Sequence, residues 1–457
     1  MEEERPRVIT TAQRLLEKHP ICDQCLGRQV AWLSTDTTNR QRGASLKLVL
    51  TMMAEEEIKH GSKEEGIKLL QVLATNGMLD SAKKVCKKYG IEVQKDETCH
   101  LCGIGEESVF DKIPSIVQRV QERAQNIEFA TFLVGTEPDL VLAEREDELR
   151  GQMGLADGEA LKSDFNRELG KQIEKALKKE VDFQRPDIVV FYKMAEDKVQ
   201  IRINPVFIYG RYRKLVRGIP QSRWDCSECK GKGCDACGGT GRKYPESVSE
   251  FIGTPSQKEL QGTKFKVHAA GREDIDVLML GTGRPFVVEI SRPNARNPDL
   301  EHLTSVINQF AEGKVEVSDL RITTRRHFQV LKNEASENEK EYHAIIQVER
   351  EPEDAELEEA VKSLSNTIIE QRTPNRVAHR RSDLIRKKRV LEVRLIKVDK
   401  TTLEGFFKVQ GGTYVKELVS GDEGRTTPSL SEVLGIACVC MRLDVTAIHS
   451  LQTDHNL

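Results

Sequence analysis

The sequence lacks any long hydrophobic run. No stretch of its 457 residues is apolar enough to cross a membrane, and residues 1–5 are polar, without the apolar core of a secretory signal. Aromatic residues are scarce, at 5% of the chain, whereas charged residues make up 31%. The net charge of −3 excludes neither cationic nor anionic partners, because the charges are segregated along the chain. We therefore expect a cytoplasmic globular protein of two to four domains, with no membrane partner.

Most of the cysteines form Cys-x-x-Cys pairs. Since a chain without a secretory signal rarely forms disulfides, such pairs favour tetrahedral zinc coordination by thiolates. The first two pairs predict one site closed across a helical insertion at residues 43–89; two unrelated reduced pairs, or His100 as a substitute ligand, are the alternatives. The last two pairs form a tandem Cys-x-x-Cys-x-Gly-x-Gly repeat, whose four thiolates predict a second, structural zinc site. The predicted ligands are Cys22, Cys25, Cys99, Cys102, Cys226, Cys229, Cys234 and Cys237.

Hydrophobic periodicity divides the chain into four segments. Residues 1–105 carry the first two cysteine pairs and helical spacing, and residues 106–222 alternate strands with helices, which predicts an α/β module. Residues 223–243 form the tandem cysteine element. Residues 244–457 contain strands with charged loops and few helices, which predicts a mixed sheet, so the fold class is α/β (α+β). The predicted strands are 128–134, 188–192, 199–203, 265–270, 286–290, 315–324, 341–349, 389–398, 405–409 and 444–448. The predicted helices of these segments are 113–124, 162–179, 299–310, 352–365 and 429–435.

Two basic stretches are candidates for contacts with nucleic acid. Residues 207–220 interleave rings with cations, which suits base stacking and phosphate pairing, although a basic strand facing solvent is the alternative. Residues 371–389 are the densest basic stretch, which argues against a core strand and for a polyanionic partner. The candidate residues are Tyr209, Arg211, Arg213, Lys214, Arg217, Arg372, Arg376, His379, Arg380 and Arg381.

An acidic turn is the main candidate for chemistry. Gly271 permits a tight turn, and Asp274 follows, with Arg272 and Arg284 close in sequence. A carboxylate held near cations in a partly closed site stays ionised, as a nucleophile requires. On these residues alone, an acidic side chain on a surface turn is the simpler interpretation.

A second cluster follows near the end of the chain. Tyr414 and Lys416 are predicted to alternate along a strand, which would place a ring and a cation on one face. The ring could stack on a base and the cation could pair with a carboxylate. An ordinary half-exposed strand is the alternative.

Together these residues resemble a known enzyme family. Gly-Arg-Glu-Asp at 271–274 is similar to the Gly-Arg-x-Asp catalytic loop of pseudouridine synthases, and Gly-Thr-Tyr-Val-Lys at 412–416 is similar to their third motif. Combined with the first cysteine quartet and with the motifs at 209–221, 281–286 and 372–381, they resemble the archaeal "ten" family of tRNA pseudouridine synthases over nearly the whole chain. One departure is Leu278, where that family more often has arginine.

The resemblance implies both a fold and a reaction. It implies a zinc-bearing N-terminal part with a THUMP-like module at 106–222 and a pseudouridine synthase domain at 244–457. The implied reaction converts uridines 54 and 55 of the tRNA T loop to pseudouridine without an organic cofactor. The implied partner is tRNA, bound through its T arm and acceptor end, with no obligate protein partner.

The resemblance also implies a role for each site residue. Asp274 is the nucleophile, and Tyr342 and Tyr414 hold the uracil ring by stacking. Lys416 is the cation that keeps Asp274 ionised, and Arg272 is a further substrate contact. Zinc has no chemical part in this scheme.

Two other functions compete with this one. A non-catalytic, zinc-containing RNA-binding protein would use Asp274 only to cap a turn. A THUMP-linked methyltransferase or thiolase would need a glycine-rich nucleotide loop between a strand and a helix. The Gly281-Thr282-Gly283 segment lacks a third glycine and leads into a strand, which disfavours that enzyme.

Overall fold

The computed structural model describes residues 6–93, 98–105, 107–334 and 337–449. The chain folds into two compact units, Met1–Asn204 and Pro205–Leu457. The predicted boundary at residue 222 lies inside the second unit, because Val206–Lys214 pairs with strands of that unit. The mixed α/β fold predicted from the periodicity is confirmed.

The first unit combines a helical part with a small sheet. Its helices are Arg7–Lys18 (α1), Asp23–Arg28 (α2), Asn39–His60 (α3), Lys63–Ala74 (α4), Asp80–Lys88 (α5), Ile113–Ala124 (α6), Leu140–Met153 (α7) and Leu161–Leu177 (α8). Its strands are Gly103–Ile104 (β1), Glu107–Ser108 (β2), Thr131–Glu137 (β3), Glu180–Val181 (β4), Ile188–Lys193 (β5) and Lys198–Ile203 (β6). Helix α3 begins at Thr38, whose side chain and that of Gln41 form a capping box.

The sheet of the first unit has the order β4-β3-β5-β6, with β3 parallel to β4 and β5 and with β6 antiparallel. Apolar side chains of α6 and α8 pack with those of β3 and β5 in one core. The strands and helices predicted here from alternation and helical spacing are present. Helix α7 was not predicted, because its charged sequence shows little helical periodicity.

The second unit is built on one large, mainly antiparallel sheet. Its strands are Val206–Lys214 (β7), Lys264–Ala269 (β8), Leu278–Ser291 (β9), Val315–Thr323 (β10), Glu339–Val348 (β11), Thr367–Arg372 (β12), Ile385–Lys397 (β13), Thr402–Gln410 (β14), Thr426–Thr427 (β15) and Cys438–Ile448 (β16). The order is β10-β7-β9-β16-β11-β14-β13-β12-β15, with β8 paired to β9. Strands β9 and β16 are parallel, so the sheet is mixed as predicted.

Helices pack against this sheet around its core. They are Val248–Glu259 (α9), Leu300–Phe310 (α10), Arg325–Glu334 (α11), Asp354–Leu364 (α12), Val415–Ser420 (α13) and Leu430–Leu434 (α14). Phe286, Val288 and Ile290 of β9 lie in the same buried cluster as Leu303 and Ile307 of α10. This rigid framework supports the loops that follow β8, β12 and β14.

Two expectations about this unit are wrong. Tyr414 and Lys416 do not alternate along a strand: Gly412 has a φ of +83°, β14 ends before it, and α13 begins at Val415. The basic stretch 371–389 does enter the sheet, through the end of β12 and the start of β13. Its cations tolerate these positions because the strands lie toward one end of the sheet, and residues 373–384 between them, with a short helical turn at Asn375–Arg380, lie outside the sheet.

Candidate active site

The acidic turn joins β8 to β9 beneath a cavity of about 530 Å³. Gly271 has a φ of +89°, which glycine adopts at least cost. A Cβ at this position would lie 3.0 Å from Nη1 of Arg284 and 3.1 Å from Nζ of Lys340. Glycine is therefore required both by the turn and by the two cations packed against its backbone.

Glu273 anchors the turn from below. Its carboxylate is buried and accepts hydrogen bonds from Nε of Arg284 at 2.8 Å and from the Tyr212 hydroxyl at 2.9 and 3.0 Å. Burial and the charge of Glu273 raise the pKa of Tyr212, so the hydroxyl stays protonated and donates. Gln221 donates to the same hydroxyl and to the carbonyl of Gly271, at 2.8 and 2.9 Å. Glu273 is therefore committed to two buried protein donors and anchors the turn.

Asp274 is the carboxylate that faces the cavity. Its Oδ2 accepts from Nη1 of Arg376 at 2.8 Å, and its side chain is 34% exposed. Within the described residues, Oδ1 of Asp274 has no hydrogen-bond partner. Arg376 is in turn held by Glu417, whose side chain is only 6% exposed. The two carboxylates raise the pKa of Arg376, so the cation beside Asp274 stays charged.

Lys416 is not the partner of Asp274. Its Nζ lies 2.7 Å from Oδ2 of Asp276, because α13 carries it toward the second aspartate of the turn. Arg376, predicted as a contact for RNA phosphates, instead takes the place expected of Lys416. The sequence offered no local signal for this pairing, since Arg376 lies 102 positions beyond Asp274.

Both predicted tyrosines line the same cavity. Tyr342 lies on β11, and burial raises the pKa of its hydroxyl. Tyr414 directly precedes α13; its hydroxyl accepts from Nη1 of Arg381 at 2.9 Å, and its ring lies near the guanidinium groups of Arg376 and Arg381. The cavity is lined by residues 271–274, Val277, Arg284, Lys340, Tyr342, Arg376, Val377, Arg381, residues 412–416, Leu443 and Val445. Its lining thus combines apolar, aromatic, cationic and acidic side chains.

Arg272 lies at the rim of the cavity and is exposed. Its guanidinium lies 5.1 Å from the ring centroid of Trp224, just before the tandem cysteine repeat. The acidic turn thus contacts the cysteine-rich element through this cation–π pair.

The aromatic and basic stretch on β7 is mostly structural. Tyr209 and Lys214 are buried, which contradicts their assignment to RNA contacts. Strand β7 lies between β9 and β10, so both of its edges are paired, and its alternating residues Ile208 and Tyr209 belong to two different buried clusters, so both of its faces are covered. Lys214 donates to the carbonyls of Ile219, Asp274 and Ile275, and burial lowers its pKa.

The three arginines of this stretch also have protein partners. Arg211 donates to the carbonyls of Thr282, Gly283 and Ile448, and Arg213 pairs with Glu316. Arg217 pairs with Asp444 and donates to the carbonyl of Asp276. Arg211 and Arg217 thus hold β9 and the acidic turn in place, Arg213 ties β7 to β10, and all three remain only partly exposed.

The 371–381 stretch leaves some cations at the surface. Arg372 forms an ion pair with Asp383 and remains half exposed. His379 and Arg381 are exposed. The side chain of Arg380 lies outside the part of the chain that the structure describes.

Two groups of four cysteines could hold metal ions, as the spacing predicted. In each group the four sulfurs lie within 4.8 Å of one another. Cys22, Cys25, Cys99 and Cys102 belong to the first unit, and Cys226, Cys229, Cys234 and Cys237 belong to the second. The ring of His100 stacks on that of His19, with centroids 4.1 Å apart, and it is not part of the first group.

The donor atoms of both groups suit a soft cation. Backbone amides point at the sulfurs: Cys22 donates to Sγ of Cys99 at 3.3 Å, and Gly233 and Gly241 donate at 3.1 Å to Cys229 and Cys237. Such hydrogen bonds favour the thiolate form that binds metal. Four sulfurs around one point is the donor set of a closed structural site.

No helix within the described residues is long and apolar enough to cross a membrane. Residues 207–449 match the family model described as "Pus10, C-terminal", and residues 116–193 match "Pus10 THUMP domain, archaeal".

Curated relatives match nearly the full length. The chain is 42% identical to "tRNA pseudouridine synthase Pus10" of Methanothrix thermoacetophila, over 96% of this chain and 94% of the relative. It is 41% identical to the protein of that name from Methanocaldococcus jannaschii, over 97% and 94%. Among solved structures, a chain of a "Cbf5-Nop10-Gar1 Complex" is 17% identical with a TM-score of 0.28, over 45% of this chain and 46% of that one. That last likeness is too weak to support any conclusion.

Proposed function

Because the chain belongs to the Pus10 family of tRNA pseudouridine synthases, it is an isomerase, and we propose that it converts uridines 54 and 55 of the tRNA T loop with Asp274 as the nucleophile. The observation that carries this proposal is the position of Asp274. Of the three carboxylates in the turn, it alone combines a location on the cavity with an oxygen that has no partner in the described chain.

The reaction needs no redox step. A uridine must leave its stack to reach the cavity. Asp274 then attacks and forms a covalent intermediate, the bond between N1 and C1′ breaks, and the freed uracil rotates. The bond between C5 and C1′ forms, the bond to Asp274 breaks and frees its carboxylate, C5 loses a proton and N1 gains one, so that atoms and electrons balance without a cofactor.

The other residues that line the cavity hold the uracil ring or keep Asp274 ionised. Tyr342 and Tyr414 stack on the uracil while it is detached. Arg376 keeps Asp274 ionised and oriented, which is the role that the sequence assigned to Lys416. Arg272, at the rim, contacts the flanking phosphate.

The exposed cations suggest a path for tRNA. Arg372, His379 and Arg381 lie in or beside the segment between β12 and β13, so we propose that they contact the phosphates of the T arm. We propose that the acceptor end meets the THUMP module of the first unit, which begins near residue 106. On this arrangement the protein acts on tRNA in the cytoplasm without an obligate protein partner.

We also propose that each cysteine group holds one structural zinc ion. The wild-type protein should then contain two zinc ions per chain, measured by elemental analysis after gel filtration. Cys25→Ser should remove one ion from the first unit, and Cys229→Ser one from the second. Full zinc content in either variant would contradict the assignment of that group.

The decisive experiment is tritium release from a tRNA transcript that carries 5-tritiated uridine. Wild type should release tritium, and Asp274→Asn, which keeps the shape of the side chain, should not, while both bind tRNA with similar affinity. Transcripts with cytidine at position 54 or at position 55 should each release half as much as the full transcript. No release by wild type, with binding intact, would leave the non-catalytic RNA-binding alternative.

A further inference from the structure

Lys340 is a buried lysine in the wall of the proposed active site. It lies on β11, two residues before Tyr342, so both side chains reach the same cavity. The residue is only 6% exposed. Within the residues that the structure describes, its ammonium group forms no hydrogen bond and no ion pair.

The surroundings of Lys340 disfavour its charge. Its ammonium group packs against the backbone of Gly271 in the catalytic turn. Burial, together with the charges of Arg284 on β9 and Lys388 on β13, lowers the pKa of Lys340 to about 7, although Glu273 of the turn acts in the opposite direction. The residues paired with it on β14 and β16, Val409 and Ile448, are apolar.

The neighbouring cations are already satisfied. Arg284 donates to Glu273 and to the carbonyl of Ala270, each at 2.8 Å. Lys388 donates to the carbonyl of Gly411 at 2.7 Å. Lys340 therefore differs from both in having its donors available to a molecule inside the cavity.

The chemistry of the substrate supplies the missing acceptor. Uracil presents two carbonyl oxygens, and negative charge spreads onto them when the bond between N1 and C1′ breaks. A backbone phosphate is a poor match for Lys340, because a group that is 6% exposed cannot be reached from the protein surface. Donors placed where charge develops, in a site that excludes water, are an effective form of catalysis.

We propose that Lys340 is a catalytic residue that donates a hydrogen bond to a carbonyl oxygen of the flipped uracil and stabilises the negative charge of the detached ring. This inference rests on the proposed function. Lys340 thus contributes to catalysis at the expense of folding, since a buried lysine without a partner destabilises the free protein.

The test compares Lys340→Met with wild type and with Lys408→Met. Methionine keeps the length of the side chain and removes the charge. Lys408 is the matched control, because it lies on β14 opposite Glu341 and pairs at the surface with Glu339. Each protein is assayed for its single-turnover rate of tritium release at saturating tRNA, for its affinity for tRNA, and for its melting temperature.

The expected result separates catalysis from structure. Lys340→Met should slow the single-turnover rate by about 100-fold or more, leave tRNA affinity nearly unchanged, and raise the melting temperature. In the complex with tRNA, the negative charge of the bound phosphates should raise the pKa of Lys340, which therefore lies at or above 7. The wild-type rate should fall as the pH rises past this pKa, because Lys340 then loses its proton. Lys340→Met should not show this fall. Lys408→Met should behave like wild type.

Other outcomes would overturn the inference. A wild-type rate for Lys340→Met would show that the ammonium group does not act on the ring, while tritium release by wild type left the proposed function intact. A lowered melting temperature would assign Lys340 a structural role, and a loss of tRNA affinity with an unchanged rate would make it a binding residue. If wild type released no tritium, the proposed function and this inference would fail together.

Discussion

Replacing Glu273 with glutamine removes the charge that balances Arg284 beneath the acidic turn. The side chains of both residues are almost completely buried, with exposures of 0% and 2%. Glutamine keeps the shape and one acceptor oxygen but leaves the guanidinium of Arg284 without its counter-charge. Because Glu273 directly precedes Asp274, the change should disturb both the stability of the protein and the position of the proposed nucleophile.

The expected magnitude follows from the burial. Breaking a buried ion pair by removing one partner costs about 3–5 kcal/mol, and the retained amide oxygen places Glu273→Gln near the lower end. For a domain of this size, that corresponds to a fall in melting temperature of about 6–12 °C. A displacement of Asp274 of the order of 1 Å would slow the chemical step by about 100-fold.

The assay is urea unfolding of the wild type and of each variant, combined with single-turnover tritium release. Glu246→Gln is the matched control, because its partner Lys314 is 33% exposed and the pair is solvated; it should cost less than about 1 kcal/mol. The double variant Glu273→Leu with Arg284→Met should lose less unfolding free energy than the sum of the losses in its two single variants, Glu273→Leu and Arg284→Met. The reason is that neither charge is left unpaired in the double variant. The reasoning is refuted if Glu273→Gln retains wild-type stability, or if the two single losses simply add.

Three further predictions concern the same turn and cavity. Gly271→Ala should lower the free energy of unfolding, measured in urea, by about 1–3 kcal/mol. The loss should exceed that of the control Gly435→Ala, because Gly435 also has a positive φ but has open space around it. Equal losses in the two variants would contradict the close packing at Gly271. Arg376→Met should slow single-turnover tritium release more than Lys416→Met does, because only Arg376 contacts Asp274; the reverse order would restore the assignment made from sequence. The pKa of Lys340 is about 7 in the folded chain and about 10.4 in an unfolded one, so the unfolded chain binds more protons between these values and stability rises with pH across that window. Melting curves from pH 6 to 9 should therefore show the largest stabilisation by Lys340→Met below pH 7, and a difference that stays constant with pH would disprove the shift.

The fold followed from the sequence wherever periodicity was strong. Alternating apolar residues located most strands of both units, and the helical spacing at 113–124 matches α6 residue for residue. The error at Tyr414 and Lys416 has a local cause. Two residues at spacing two are compatible with a strand, but Gly412 ends β14 and a helix of six residues is too short to show its own period.

The predicted RNA-binding stretch on β7 shows a different limit. Rings alternating with cations suit phosphate and base contacts, but they suit equally a strand whose lysine donates to three backbone carbonyls. Only the position of β7 between β9 and β10 decides between RNA contacts and internal hydrogen bonds for these side chains. A local sequence pattern does not show which strands, distant in sequence, will pair.

The roles of the three carboxylates in the turn follow from their partners. Glu273 is buried and paired with Arg284 and Tyr212, so it is placed to hold the loop. Asp276 pairs with Lys416 and is 66% exposed, so water competes for it. Asp274 lies between these extremes, with one oxygen fixed by a cation, on a cavity that contains a lysine without a partner within the described residues. The sequence places three acids within four positions; the distances to their cations, which no local pattern encodes, make one an anchor, one a surface ion pair and one the proposed nucleophile.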